Sequence, residues 1–149
     1  VPVVIAALGP MMLDLAGRHT DGTVLWMTGP ATIADHVVPV IGAAARDAGR
    51  LAPRVIAGFP VVLTDDVDGA RVRVDEILQI YGQLPSYRAM MDREGAANPS
   101  DIALIGDAAG LDAKIDRIAA SGATEMISVL LETELGAKAR TLDYLQGKI

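Results

Sequence analysis

The chain has 149 residues, of which 51% are hydrophobic and 21% are charged, with a net charge of −6 and no cysteine. These values favour one folded domain with a substantial core, and they exclude a disordered chain, a disulfide framework and a thiolate metal site. An acidic balance without a cluster of Lys and Arg also argues against a nucleic-acid partner.

The sequence has no apolar run of the length that a membrane span needs, and no signal peptide is evident. Its two histidines, His19 and His36, are too few and too far apart to indicate a zinc site. We therefore expect a cytoplasmic protein with no membrane partner and no metal.

Four apolar runs are predicted as strands, over residues 3–7, 23–27, 54–63 and 124–130. A helix is predicted from Pro10 to residues 17–19, and a second over 31–48, where Pro39 should kink or split it and Gly49 should cap its end. Further helices are predicted over residues 67–83, 85–94, 98–105, 111–120 and 134–146, with a turn at 106–110. Asp65 and Asp66 are candidate N-caps of the first of these helices.

Strands that alternate with helices predict an α/β fold of parallel βα units. Four such units are half of a (β/α)8 barrel, a fold that usually takes about 250 residues. The chain also opens directly on a core-strand sequence, Val1 to Ala7. We therefore expect a single partial barrel domain over residues 1–149, corresponding to barrel strands five to eight, with the amino-terminal half absent.

Two blocks of sequence resemble the luciferase-like oxidoreductase superfamily, and above all its coenzyme F420-dependent branch. The first block is Ile-Ala-Ala-Leu-Gly-Pro-Met-Met-Leu-Asp-Leu-Ala-Gly at residues 5–17, followed by Thr-Asp-Gly-Thr-Val-Leu at 20–25. The second block, Ile-Gly-Asp at 105–107 with Ala-Ala-Ser-Gly-Ala-Thr-Glu at 119–125, is similar to the final βα unit of that family. The resemblance covers nearly the whole chain, although residues 66–98 match in kind rather than in sequence.

The resemblance implies a cofactor site at the end of the first strand, where barrel enzymes place their active sites. Backbone groups of Ala7, Leu8 and Gly9 would contact the phosphate of coenzyme F420, or of FMN as the alternative, at a helix N-terminus. Met12 and Thr28 are added as weaker cofactor-binding candidates. A purely structural strand-to-helix turn is the alternative for the first three residues, and an ordinary turn or cap threonine for Thr28.

Other candidate residues have structural interpretations that we prefer, and no catalytic residue is assigned. We expect Trp26 in the core, His19 at a helix end, His36 at the surface or in packing, and Asp65, Asp66 and Asp68 at a solvated helix start. Arg71 and Arg73 are expected on a solvated helix face rather than at an anionic substrate, and Met90 and Met91, near Tyr87, in packing or in a substrate lid.

The function that the resemblance implies is hydride transfer between coenzyme F420 and a small organic substrate, or oxygen insertion with reduced FMN. One alternative is an inactive half-barrel that acts as a folding or oligomerisation unit, because exposed strand edges favour a homo-oligomer, most simply a dimer. The other is part of an unrelated phosphate-binding barrel, such as a lyase or isomerase. The lack of an evident catalytic Lys or Glu at a strand end argues against this alternative, although Glu132 and Glu134 are not excluded as such residues.

Overall fold

The computed structural model describes residues 1–148, and its strands all run parallel. The strands are β1 Val4–Ala6, β2 Gly22–Trp26, β3 Arg54–Leu63, β4 Leu104–Gly106 and β5 Glu125–Leu130. The helices are α1 Pro10–His19, α2 Pro30–Thr32, α3 Val38–Asp47, α4 Val67–Leu78, α5 Pro85–Glu94, α6 Pro99–Ile102, α7 Ala108–Ala120 and α8 Ala137–Gln146. A π-helical turn, Ile33–Val37, joins α2 to α3, and a 3-10 turn, Gln79–Gly82, follows α4.

Strand β3 is the centre of the sheet. It pairs with β2 along residues 54–58 and with β5 along residues 56–61, while its last residues, 61–63, pair with β4. Its residues 55–62 are all buried, as expected for an apolar run covered on both faces. The sheet order is β1-β2-β3-β4, and β5 also pairs with β3, so β1, β4 and β5 each have one edge without a partner strand within residues 1–148.

Helix starts follow their sequence signals. Helices α1, α2, α5 and α6 all begin at a proline, whose fixed φ suits the first helical position. Asp66 and Asp107 cap α4 and α7, and their carboxylates accept hydrogen bonds from the amides of Gly69 and Gly110 at 3.0 and 2.8 Å. The N-cap prediction is thus confirmed for Asp66.

Two parts of the sequence-based prediction are wrong. Residues 98–105 were predicted as one helix, but α6 ends at Ile102 and residues 104–106 form β4, because pairing with the end of β3 outweighs the local helical pattern. The predicted turn at 106–110 is instead the end of β4, the cap Asp107 and the first residues of α7.

The helix predicted to break at Pro39 is interrupted just before that residue. Because proline has no N–H, it cannot donate the usual helical hydrogen bond, and the backbone passes through the π turn immediately upstream. Close packing of α3 against α1 depends on Gly17, where an added Cβ would lie 2.5 Å from the Ile41 carbonyl oxygen.

The carboxylate of Asp101 ties the start of α6 to α4. It accepts hydrogen bonds from the Ala97 and Asn98 amides at 3.0 and 2.9 Å and forms an ion pair with Arg71. Partial burial alone would raise the pKa of Asp101, but the Asn98 and Ala97 amides and the Arg71 guanidinium lower it below its usual value.

We predict that Asp101→Asn lowers the free energy of unfolding by about 1 kcal/mol at neutral pH. A lowered folded-state pKa gives stability that is present above the unfolded-state pKa and is lost as the pH falls through the folded-state value. Urea unfolding at about pH 7 and about pH 2.5 should therefore show a smaller difference between the two proteins at the lower pH. Asp65→Asn, at an exposed position, serves as the control, and an equal difference at both pH values would contradict the assignment.

Candidate functional site

A pocket of about 380 Å³ lies at the carboxyl ends of β1 and β2. Its floor is the strand-to-helix turn Ala7–Gly9 together with the side chain of Met12. Trp26 at the end of β2 and Ser86 and Tyr87 from α5 complete the wall. Among residues 1–148, no charged side chain lines this pocket, so its polarity comes from backbone groups and a few hydroxyls.

Buried Thr23 holds the first part of the turn in place. The Ala7 amide donates to Thr23 Oγ1 at 3.1 Å, and the same hydroxyl lies 3.0 and 3.3 Å from the carbonyl oxygens of Ile5 and Ala7. Thr23 is fully buried, so solvent does not compete for these bonds. The amide of Ala7 is therefore occupied, and the backbone donors that the turn can offer to a ligand lie further along it.

The next amides of the turn have no acceptor in the part of the chain that the structure describes. Gly9 is the N-cap of α1 and provides no side-chain cap, so the amides of Gly9, Met11 and Met12 make no hydrogen bond to residues 1–148. Unpaired amides at a helix start, together with the helix dipole, favour an anion.

Gly9 leaves space above these amides. An added Cβ would meet no heavy atom within 4 Å, and the backbone of Gly9 is extended, at φ −79° and ψ 159°. Neither packing nor backbone conformation therefore requires glycine at this position in the ligand-free fold. A molecule that approaches the backbone would require it.

The second βα turn begins with the same Gly-Pro pair but is closed by the protein itself. The Glu94 carboxylate accepts hydrogen bonds from the Ala31 and Thr32 amides at 3.2 and 2.7 Å. A Cβ on Gly29 would lie 2.2 Å from Glu94 Cδ, so this glycine is needed to admit the carboxylate. Since Glu94 ends α5, this contact also fixes the helix that carries Ser86 and Tyr87.

Thr28 does not line the pocket. It is 1% exposed, and its hydroxyl donates to the Trp26 carbonyl at 3.2 Å. The structure therefore brings Ala7, Leu8, Gly9 and Met12 together but leaves Thr28 apart from them. Its role in cofactor binding stays a prediction, and the turn-threonine alternative accounts for its contacts.

An aromatic cluster of Trp26, Tyr81 and Tyr87 stands beside the pocket. The Trp26 and Tyr81 rings meet edge to face with centroids 5.9 Å apart, and the Tyr81 and Tyr87 rings do so at 5.0 Å. These are three of the five aromatic residues in the chain, concentrated at one place. Trp26, expected in the core, packs against the core and also lines the pocket.

His36 is a pocket-associated residue that the sequence did not reveal. It lies in the π turn, is 8% exposed, and places Nε2 3.0 Å from the Leu8 carbonyl oxygen. Of the two expected alternatives for His36, surface or packing, the structure shows packing, and its hydrogen-bond partner belongs to the turn Ala7–Gly9. The two residues are 28 positions apart, and no local pattern indicates such a contact.

Residues 1–132 match the sequence profile of the family described as luciferase-like monooxygenase. The chain belongs to this family. A comparison with curated proteins gives no significant match.

Several solved structures have a similar fold, and some of them are named as enzymes that use coenzyme F420 or FMN. An F420-dependent secondary alcohol dehydrogenase in complex with an F420-acetone adduct is 16% identical, with a TM-score of 0.79 over 100% of this chain and 48% of that one. A coenzyme F420-dependent tetrahydromethanopterin reductase from Methanopyrus kandleri is 19% identical, with a TM-score of 0.68 over 100% of this chain and 50% of that one. The oxygenating constituent of 3,6-diketocamphane monooxygenase from Pseudomonas putida, in complex with FMN, is 19% identical. Its TM-score is 0.65 over 96% of this chain and 46% of that one.

The chain spans about half the length of these luciferase-like structures. Its parallel βα units match half of their (β/α)8 barrel, which confirms the predicted fold class. Because the sequence identities are below 20%, the likeness to these structures shows the fold and leaves the reaction to be argued from the site.

The other candidates in this luciferase-like chain have structural partners. Arg71 pairs with Asp101, and Arg73 with Glu76 at 2.8 Å, both on exposed surface. Met91 is fully buried and Met90 nearly so, and both pack into the interior instead of facing the pocket.

Acidic side chains near the strand ends also act locally. Hydrogen bonds from the Lys138 and Gly136 amides lower the pKa of the Glu132 carboxyl, and Glu134 pairs with Arg140.

Residues 1–148 contain no group of three His, Cys, Asp or Glu side chains arranged to hold a metal ion, and none of their helices is long and apolar enough to cross a membrane.

We predict that Glu94→Gln lowers the free energy of unfolding by about 1 kcal/mol, since one carboxylate satisfies two orphan amides and complements the α2 dipole. Glu94→Ala should cost more, because both amides then lose their acceptor. Glu76→Gln, which changes the same charge at an exposed position, is the matched control. Urea unfolding measures the free energy of unfolding of all three variants. A Glu94→Gln effect no larger than that of the control would show that the charge of Glu94 does not stabilise the helix start.

Proposed function

We propose that this chain forms the phosphate-binding part of an oxidoreductase that transfers hydride between coenzyme F420 and a small organic substrate. The observation that carries the proposal is the turn Ala7–Gly9, which faces an open pocket with unpaired amides at a helix start. Membership of the luciferase-like family supports the reaction class. We name F420 first because two of the structures of similar fold are F420-dependent; with FMN, which the third binds, the reaction would be oxygen insertion.

The phosphate would be held without a cationic side chain. Amides of Gly9, Met11 and Met12 donate to its oxygens, and the positive end of the α1 dipole adds a favourable field. Met12 supplies apolar contact beside them. The contrast with Glu94 supports this assignment, because the second Gly-Pro turn already holds an anion of the protein's own while the first holds none.

The cofactor would supply the hydride chemistry, and this chain would supply binding and orientation. The pocket excludes charged groups and presents apolar and aromatic surface, which suits a planar ring or an uncharged substrate. No residue lining it can serve as a strong acid or base at neutral pH. Proton transfer, where the reaction needs it, is therefore assigned to groups outside these residues.

We predict that Gly9→Ala weakens binding of F420 or FMN by about tenfold or more, equivalent to about 1.4 kcal/mol. The new methyl group would project into the space above the amides that the phosphate would occupy. Stability should be unchanged or rise by about 0.4–1 kcal/mol, because the folded backbone of Gly9 suits alanine and the unfolded chain loses freedom.

The measurement is fluorescence titration of the complete gene product with F420 and FMN, together with thermal unfolding. Gly42→Ala, the same chemical change in α3 away from the pocket, is the matched control. Weaker cofactor binding by Gly9→Ala and not by Gly42→Ala, with the stability of Gly9→Ala unchanged or raised, supports the proposal. Unaltered binding by Gly9→Ala, or no binding of either cofactor by the wild type, overturns it.

A second candidate function is self-association, favoured by the unpaired edges of β1 and β5. Exposed strand edges promote pairing with another chain, and Ile127 of β5 is 46% exposed. Strands β1, β2, β3 and β5 from two copies would supply the eight parallel strands of a closed barrel.

We predict a dimeric mass for the 149-residue chain in light scattering at micromolar concentration. Ile127→Lys should shift the species towards monomer, because a charge would be buried at the new contact. A monomeric wild type would exclude this candidate and would leave the cofactor proposal untouched.

A further inference from the structure

We propose that His36 is a positioning residue that aims the Gly9 amide at the cofactor phosphate by holding the Leu8 carbonyl. The inference rests on the proposed function, since it concerns the same turn. It goes beyond that function by assigning a role to a side chain from the next βα unit, which makes no contact with the ligand itself.

The direction of the hydrogen bond follows from its partners. A carbonyl oxygen can only accept, so Nε2 of His36 must carry the proton that it donates to Leu8 over 3.0 Å. With His36 only 8% exposed, the loss of this bond would leave a nearly buried polar group without a partner. The contact is therefore a directed interaction in which Nε2 is the donor.

Peptide geometry converts this contact into a direction for the next amide. The peptide bond between Leu8 and Gly9 is planar and trans, so its C=O and N–H point in opposite directions. The carbonyl is turned inward to His36, and the Gly9 N–H is consequently turned outward, where it has no partner among residues 1–148. The hydrogen bonds of Thr23 hold the Ala7 carbonyl inward in the same way.

The local backbone explains how a histidine reaches the turn. His36 belongs to the π turn Ile33–Val37, a conformation that inserts an extra residue and is common at functional sites. Its neighbours Ile33 and Val37 are fully buried and keep the apolar face of the helix in the core. The π turn thus lets one polar side chain face the first βα turn without giving up core packing.

The test compares side chains that can and cannot reach the carbonyl. His36→Gln keeps an N–H near the position of Nε2, His36→Asn is one methylene shorter, and His36→Leu removes the donor. Each protein is titrated with FMN and riboflavin, and with F420 and its dephosphorylated form. Only the phosphate-bearing ligands would use the Gly9 amide.

We expect His36→Leu and His36→Asn to weaken the binding of FMN and F420 about tenfold. The affinity of His36→Gln for both ligands should stay within about threefold of the wild-type value. Riboflavin and dephosphorylated F420 should bind all four proteins alike. Equal losses for both ligand classes without rescue by glutamine would mean a merely structural role and would overturn the inference. So would unchanged FMN and F420 affinity in His36→Leu.

A second readout does not depend on cofactor binding. In the ligand-free protein, the NMR resonance of the Gly9 amide should move or broaden in His36→Leu and His36→Asn and keep its position in His36→Gln. An unmoved resonance in the leucine variant would overturn the inference even if that variant binds weakly. If the wild type binds no cofactor, the proposed function fails, while the resonance still decides whether His36 orients the peptide.

Discussion

The geometry of the candidate site depends on two carbonyl groups that the protein holds inward. Thr23 lies below the Ala7 carbonyl and His36 behind the Leu8 carbonyl, and both residues are buried. Since each peptide group is planar, fixing a carbonyl on one side fixes an N–H on the other. The amides that follow are therefore oriented before any ligand arrives, which lowers the entropic cost of binding.

The same dipeptide performs different tasks in the two βα turns. Gly9-Pro10 starts a helix whose amides are open, whereas Gly29-Pro30 starts one whose amides are covered by Glu94. The difference is set by Glu94 at the end of α5, whose carboxylate reaches the amides after Gly29-Pro30 and not those after Gly9-Pro10. A sequence motif for an anion site is therefore informative only when the rest of the fold leaves the motif unoccupied.

Local signals in the sequence were sufficient for much of the fold. The bounds of β3 and α5 were predicted to the residue, because a long apolar run and a proline start are strong local patterns. Strand β4 was missed, since three residues form a strand there only through pairing with the end of β3. The turn Ala7–Gly9 could be located through a family resemblance, but its free amides could not be distinguished from the occupied one without the partner side chains. His36 contacts a residue 28 positions away, and no periodicity encodes that distance.

The concentration of aromatic residues has a practical consequence. Trp26 is the single tryptophan of the chain, and it sits in the pocket wall against Tyr81. Its emission therefore comes from one known environment, and light absorbed by Tyr81 and Tyr87 can pass to it over a few ångströms. A bound chromophore that absorbs in the near ultraviolet would accept that energy in turn. This chain thus carries an intrinsic optical reporter in the wall of the candidate pocket, and it has no other tryptophan.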